Sequence, residues 1–226
     1  MQSARSEKNF HYTASVRRFF SIAIIALLAP MPLFARTFEG TPPSAREIHR
    51  EALRRYQDEA LARGTYGADL EHLYTNDAFG VHIRYPRDWT VQNLLDSNGR
   101  ITSIALFLSP LSDSGDTTEE NINLIVEDVR DAPLTLDQYQ DAAITQERGL
   151  FDSFSLVSTS DIVLDGEAGR DIVFQTTFNE KSLFFEQAWA LHDGIVYVWT
   201  LAAPPETFAQ YSRMFHTMLG TFGFSI

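Results

Sequence analysis

From residue 79 onward, apolar and polar residues alternate with a period of two, which is typical of half-buried β-strands. The clearest alternation is Phe79–Tyr85, which Pro86 closes, whereas Ile101–Leu108 is almost continuously apolar and indicates a central strand. Further strands are predicted at Asn121–Val129, Ser155–Leu164, Ala168–Phe178, Leu183–Leu191 and Ile195–Leu201. The last two are joined by His192-Asp193-Gly194, a hairpin signal of the Asp-Gly kind.

Two helices are predicted before the strand at Ser155–Leu164. The first begins after Pro42-Pro43 and ends at Gly64, and its single weakly apolar face suggests a solvated helix that leads into the domain. The second begins with a capping box, Thr135 and Gln138, and runs to about Gly149.

A third helix is predicted at the end of the chain, where Pro204-Pro205 precedes apolar residues at helical spacing. Its apolar positions are Phe208, Tyr211, Phe215, Met218 and Leu219. Helices at both ends and in the middle of a set of hairpin-linked strands predict an α+β fold. In this fold helices cover a mostly antiparallel sheet of about six strands.

The first 35 residues have the order of a secretory signal peptide. Arg17-Arg18 supply the positive end, an apolar run follows, and cleavage is predicted after Ala35. The apolar run is roughly half the length of a membrane span, which needs about 20 residues. An uncleaved signal anchor is the alternative. A partial match of Arg17-Arg18 to the twin-arginine signal leaves the export route open, although the general secretory route is favoured.

Charge and composition exclude several function classes. The leader carries a net charge of +3, so the chain total of −12 leaves −15 on residues 36–226. A domain this acidic repels phosphate backbones, so nucleic acid is not an expected partner. The absence of cysteine excludes thiol catalysis, thiolate metal sites and the bacterial lipoprotein anchor.

The sequence contains no recognisable catalytic motif. There is no Gly-x-Ser-x-Gly elbow and no Gly-rich phosphate loop, and none of the six histidines has the spacing of a zinc site. His82, on the polar face of the first strand, is expected to make a surface or inter-element hydrogen bond. His216, on the last helix, is interpreted as structural.

The sharpest polar feature is an acidic loop within residues 112–120. Carboxylates on such a loop could hold Ca²⁺ or Mn²⁺, which prefer oxygen ligands, but the spacing is not that of an EF-hand. A solvated loop is the favoured interpretation, and the sequence assigns no catalytic, cofactor or metal residue. The carboxylates concerned are Asp113, Asp116, Glu119 and Glu120.

Three segments, in this order, resemble PsbP-like proteins. The segment from Phe79 to Trp89 resembles the family's opening strand with its Pro-x-x-Trp end, and the turn Gly166–Arg170 resembles its middle hairpin. Tyr197–Leu201 and Phe215–Phe222 resemble its closing strand and helix. Together these segments frame residues 79–222, about two thirds of the chain.

The resemblance implies an α/β/α sandwich with a central antiparallel sheet and helices on both faces. It also implies a non-catalytic protein, since the superfamily includes photosystem subunits, bacterial envelope proteins and a nuclear-import factor. In this fold Trp89 is expected to pack beneath the sheet, close to residues of the last helix such as Phe215. The missing lipoprotein cysteine counts against the photosystem role.

These observations predict three segments: a signal peptide at 1–35, an N-terminal helical extension at 36–75 and a PsbP-like domain at 76–226. The expected function is that of an exported binding or assembly-accessory module, without a cofactor, that stabilises a protein partner in the periplasm or at the outer face of the membrane. The alternatives are an exported hydrolase whose site cannot be read from spacing, and a photosystem II-associated subunit.

Overall fold

The computed structural model describes residues 70–98, 101–111, 120–151, 153–178 and 181–225. The leader, the first predicted helix and three carboxylates of the acidic loop, Asp113, Asp116 and Glu119, lie outside these residues. In chain order the strands are β1 (His72–Asn76), β2 (Val81–Tyr85), β3 (Thr90–Asn98), β4 (Ile101–Leu108), β5 (Asn121–Asp128), β6 (Phe154–Leu164), β7 (Glu167–Phe178), β8 (Lys181–His192), β9 (Ile195–Ala203) and β10 (Gly223–Phe224). The helices are α1 (Leu136–Leu150), between β5 and β6, and α2 (Phe208–Leu219), between β9 and β10.

The strands form two antiparallel sheets. The larger sheet has seven strands in the order β3-β4-β5-β9-β8-β7-β6, and the smaller has three in the order β1-β2-β10. The α+β class and the mostly antiparallel pairing are confirmed, but the expected sheet of about six strands is in fact a seven-stranded sheet accompanied by a second, small one. All of β1 except Asn76 falls within the segment predicted as the N-terminal extension, and β1 pairs with β2.

The turns and caps that the sequence indicates are present. Thr135 Oγ1 accepts a hydrogen bond from the Gln138 backbone N–H at 3.2 Å, and Gln138 Oε1 accepts one from the Thr135 N–H at 2.9 Å, which completes the capping box of α1. The β8–β9 hairpin turns through Asp193 and Gly194 with φ of 50° and 76°. Both values lie in the left-handed region that a two-residue hairpin of this type requires.

The buried apolar residues form two cores, and successive residues of β7 belong to different ones because their side chains point to opposite sides of the strand. Core A includes Val173 of β7 and receives α2 through Phe215 and Met218. Core B includes Ile172 and receives α1; its α1 residues are Tyr139 and Ala143. The small sheet contributes to core A through Val81 and Ile83 of β2 and Tyr74 of β1.

Trp89 is 6 % exposed and belongs to core A, together with α2. Its ring centroid lies 5.9 Å from that of Tyr211 in α2. The expected packing of Trp89 against the last helix is therefore confirmed, with Tyr211 as the aromatic partner. Neither α1 nor α2 is long and apolar enough to span a membrane, and the described residues contain no other helix.

Candidate functional site

Two strands and a helix bring three titratable side chains together: Asp171 of β7, Glu186 of β8 and His216 of α2. In the β7–β8 register Asp171 lies opposite Ala188, and Val173 lies opposite Glu186. The two carboxylates are thus diagonal neighbours on one face of the sheet. Val173 and Ala188 belong to core A, so this is the face that meets α2.

The three side chains are close and mostly buried. His216 Nε2 lies 2.7 Å from Glu186 Oε1 and 3.9 Å from Asp171 Oδ2. One nitrogen or carboxylate oxygen from each residue lies within 4.8 Å of the other two. The Glu186 side chain is 0 % exposed and that of Asp171 5 %, whereas the His216 side chain is 43 % exposed. The imidazole therefore connects a buried pair of carboxylates to the solvent.

Burial and mutual charge set the protonation of this cluster. Burial, reinforced by the neighbouring charge of Glu186 and opposed by His216, raises the pKa of Asp171 to about 8. Burial alone would lower the pKa of His216, but the hydrogen bond to Glu186 and the charges of both carboxylates outweigh it, and the pKa is raised. At neutral pH Asp171 is therefore mostly protonated, and beside it His216 Nε2 lies 2.7 Å from Glu186 Oε1.

Two carboxylates and one imidazole are ligand types that divalent transition metals accept. They differ from the set that a serine hydrolase needs, in which a histidine bonds to a hydroxyl and is oriented by one carboxylate. Within the described residues, His216 Nε2 faces the carboxylates of Glu186 and Asp171, and no serine hydroxyl bonds to it. The arrangement can hold a cation or a proton, and it is not the serine–histidine–carboxylate set of a serine hydrolase.

A second polar cluster lies in core B, where α1 meets the sheet. Glu147 of α1 is 3 % exposed, and its Oε1 accepts a hydrogen bond of 3.1 Å from Gln187 Nε2 of β8. Gln187 pairs with Thr200 in the register, and Thr200 pairs with Asn123, so three buried polar residues cross three adjacent strands in a row. Burial, only partly offset by the bond from Gln187, raises the pKa of Glu147 to about 7.

A buried tyrosine–carboxylate pair lies near this cluster. Tyr139 of α1 donates a hydrogen bond of 3.1 Å to Glu127 Oε2 of β5. Burial raises the pKa of Tyr139 well above its usual value, and the charges of Glu127 and Glu147 raise it further. Helix α1 thus contributes both a phenol and a carboxyl group to the buried polar side of core B.

Of the acidic loop, only Glu120 lies within the described residues. It is 2 % exposed, and Ser109 Oγ donates a hydrogen bond of 3.0 Å to its Oε2. Glu120 is therefore buried, whereas the sequence analysis favoured a solvated loop for all four carboxylates. The other three loop carboxylates lie outside the described residues.

The structure shows the bonding partners of the two histidines that the sequence singled out, His82 and His216. His82 Nδ1 lies 3.4 Å from Ser225 Oγ, which is the inter-element hydrogen bond expected of it. His216 is structural in that it anchors α2 to β8, but its partner is a buried carboxylate that sequence spacing did not reveal. The available signal was Glu186 itself, since a charged residue inside the apolar segment of β8 requires a partner.

Comparison with known proteins gives structural neighbours only. No family model matches the chain, and no curated protein matches it. The fold is similar to cyanobacterial PsbP (CyanoP) from Synechocystis sp. PCC 6803, with a TM-score of 0.52 at 13 % identity, covering 68 % of this chain and 91 % of that chain.

Two further solved structures are more distant. PA94 of Pseudomonas aeruginosa, a protein of unknown function, has a TM-score of 0.44 at 16 % identity, covering 65 % of this chain and 91 % of that chain. LpqN of Mycobacterium tuberculosis, which is involved in cell envelope biogenesis, has a TM-score of 0.45 at 15 % identity, covering 65 % and 83 %. The order of the three resembling segments and the similarity to CyanoP agree, and the chain has a PsbP-like fold.

Proposed function

We propose that this chain is an exported, non-catalytic PsbP-like module that binds a protein partner in the envelope and stabilises it. The observation that supports the proposal is the similarity to CyanoP, which extends over 91 % of that chain. At 13 % identity the similarity concerns the fold. Partner binding is therefore inferred from the kind of protein that uses this fold and from the surface described below.

The proposal includes the layer order of the fold. Core A receives α2 and core B receives α1, while alternate residues of β7 and β8 divide between the two cores. We infer that the large sheet carries one helix on each face, as an α/β/α sandwich requires. Both faces of the sheet are then occupied, which leaves its edges as the places where a partner can add.

Strand β6 is the edge best suited to a partner. It is 11 residues long, and among the described strands it pairs only with β7. Between Ser158 and Val163 most side chains are exposed, and Val163 is 69 % exposed. Natural edge strands are usually protected by charged or proline residues, by bulges or by short length. In β6 the register shift lies between Leu156 and Ser158, ahead of the exposed segment, and that segment carries a single charged residue, Asp161. An extended segment could therefore add to it through main-chain hydrogen bonds.

Charge indicates the kind of segment that would bind. Residues 36–226 carry a net charge of −15, and around its turn the β6–β7 hairpin has Asp161, Asp165 and Glu167 against one basic residue, Arg170, which pairs with Asp161. An extended, basic segment of the partner complements this surface, because opposite charges speed association and fix the register.

The test is site-specific photo-crosslinking in the native envelope. A photoreactive residue at Ser160, exposed on β6, is compared with one at Asp141, exposed on α1. We expect a covalent adduct with one envelope protein at position 160 and none at position 141. Equal adducts at both positions, or a partner that co-purifies but crosslinks only at α1, would contradict the β6 interface.

Export is tested on the same material by the mass of the N-terminal peptide. If the leader is cleaved as expected, the mature protein begins at Arg36. Retention of Met1 in a carbonate-resistant membrane pellet would instead identify an uncleaved anchor. The hydrolase alternative is not favoured, because His216 is engaged with two carboxylates rather than with a hydroxyl.

A further inference from the structure

We propose that Asp171, Glu186 and His216 form a binding site for one divalent transition-metal ion of the Zn²⁺ type. The three ligands come from three different elements, β7, β8 and α2, so the ion would join the last helix to the centre of the sheet. This assignment goes beyond the proposed partner binding and does not depend on it.

The geometry fits a four-coordinate ion. Zinc bonds to imidazole nitrogen and carboxylate oxygen are about 2.0–2.2 Å, so ligand atoms on a tetrahedral ion lie about 3.4 Å apart. His216 Nε2 lies 2.7 Å from Glu186 Oε1 and 3.9 Å from Asp171 Oδ2, and these separations bracket that value. Side-chain movements of a few tenths of an ångström would bring all three atoms to bonding distance from one ion.

A second observation comes from the hydrogen bonds. Asp171 Oδ2 and Glu186 Oε2 are fully buried and have no hydrogen-bond partner within the described part of the chain. Buried carboxylate oxygens in native proteins almost always have a partner, since leaving one without compensation costs free energy. A divalent cation would displace the proton of Asp171 and bind both carboxylates, which would compensate their burial inside core A.

The site also has a route to the solvent through His216. His216 is 43 % exposed, whereas the carboxylates beneath it are 0 % and 5 % exposed. An ion would therefore be held from below by the sheet and would take water, or a side chain of a partner, on the solvent side. This is the open position that distinguishes a three-ligand site from a closed structural one.

The protein contains a matched control for this arrangement. His192 also lies beside two carboxylates, but Glu167 is 2.8 Å from its Nδ1 and Asp193 is 3.7 Å from its Nε2. The two carboxylates are thus on different ring nitrogens and cannot share one ion with the imidazole. Both are also well exposed, with side-chain exposures of 42 % and 91 %.

The experiment titrates the full chain with Co²⁺ as a spectroscopic substitute and with Zn²⁺ in competition. We expect binding of one ion, with visible absorption typical of low coordination number and shifted ring resonances of His216. Asp171→Asn preserves the shape of the protonated acid but cannot lose a proton to become an anionic ligand. It should weaken Zn²⁺ binding by more than the 10–100-fold that loss of an outer hydrogen-bond partner costs. His192→Gln should leave the affinity unchanged.

Three results would overturn the proposal: no saturable binding to the wild-type protein, unchanged affinity in Asp171→Asn, or loss of binding in His192→Gln. If Asp171→Asn unfolds, the wild-type spectrum decides, because Co²⁺ must then shift the resonances of His216 and not those of another histidine. None of these results bears on the crosslinking at β6, so failure of the metal site and failure of the partner interface are separable.

Discussion

Replacing Glu147 with glutamine should make the protein more stable at alkaline pH but not at acidic pH. The side chain is 3 % exposed, and burial raises its pKa from 4.5 to about 7. In the unfolded chain the carboxyl group loses its proton near pH 4.5, whereas in the folded chain it keeps the proton up to about pH 7. Between these values unfolding releases a proton, so wild-type stability falls as the pH rises and levels off above pH 7.

The magnitude follows from the two pKa values. At about 1.4 kcal/mol for each pH unit, the gap between 4.5 and about 7 corresponds to a loss of about 3 kcal/mol across this window. The Glu147→Gln variant has no such loss, because its amide oxygen can still accept the bond from Gln187 and its amide nitrogen replaces the protonated oxygen. Relative to wild type, the variant should gain up to about 3 kcal/mol by pH 8 and nothing at pH 4.5.

The assay is urea unfolding followed by tryptophan fluorescence at half-unit steps from pH 4.5 to pH 8. Glu206→Gln is the control, since Glu206 is exposed and its carboxyl group is solvated in both states. Glu127 and Tyr139 lie near Glu147 but are common to all three proteins, so their effects cancel in the differences. A Glu147→Gln difference that is the same at pH 4.5 and pH 8 would refute the reasoning.

Two further predictions concern packing. Trp89→Ala should lower the free energy of unfolding by about 3–5 kcal/mol. This is a large part of the total stability of a domain, which is about 5–15 kcal/mol. A melting temperature equal to that of the wild type would show that Trp89 does not belong to the core. Gly169→Ala should lose about 1–3 kcal/mol as overpacking does, because its Cβ would lie 2.3 Å from the Trp189 carbonyl oxygen across the β7–β8 pair. The control is Gly149→Ala in α1, whose Cβ would meet nothing within 4 Å and which should gain about 0.5–1 kcal/mol; equal urea midpoints for the two alanine variants would contradict the clash.

The sequence pattern predicts the long, buried strands of the large sheet but not β3. β4 and β5 lie inside the large sheet and are buried over nearly their whole length, so their apolar runs are unmistakable. β3, by contrast, is an edge strand with a register shift between Asn93 and Asp96. Such a strand has one neighbour and interrupted alternation, so its sequence, rich in Asn, Asp and Ser, resembles a loop.

Two shorter strands, β1 and β10, are also missing from the sequence prediction, and for the same reason. β1 is an edge strand of the small sheet with only Tyr74 buried, and β10 is two residues long. Neither is long or apolar enough to produce a periodic signal. Their existence depends on β2, which offers a backbone edge on each side, and such pairing between distant segments is invisible in a local pattern.

The candidate site could not be predicted from spacing, because it is assembled across the fold. Asp171 and Glu186 meet only when β7 and β8 pair in their observed register, and His216 meets them only when α2 packs on that face. The sequence did contain a partial signal. Glu186-Gln187 interrupts an otherwise apolar strand, and two adjacent polar residues in a strand buried on both faces indicate a polar partner on each side.

The Glu186-Gln187 dipeptide determines how the two helices are attached to the large sheet. Glu186 and Gln187 are consecutive, so their side chains leave β8 on opposite faces. One anchors His216 of α2, and the other anchors Glu147 of α1. The two helices are therefore tethered through polar bonds to a single peptide unit, and a proton or an ion gained on one side acts on a backbone that the other side shares. β8 is thus the strand to which both helices are bonded through polar side chains.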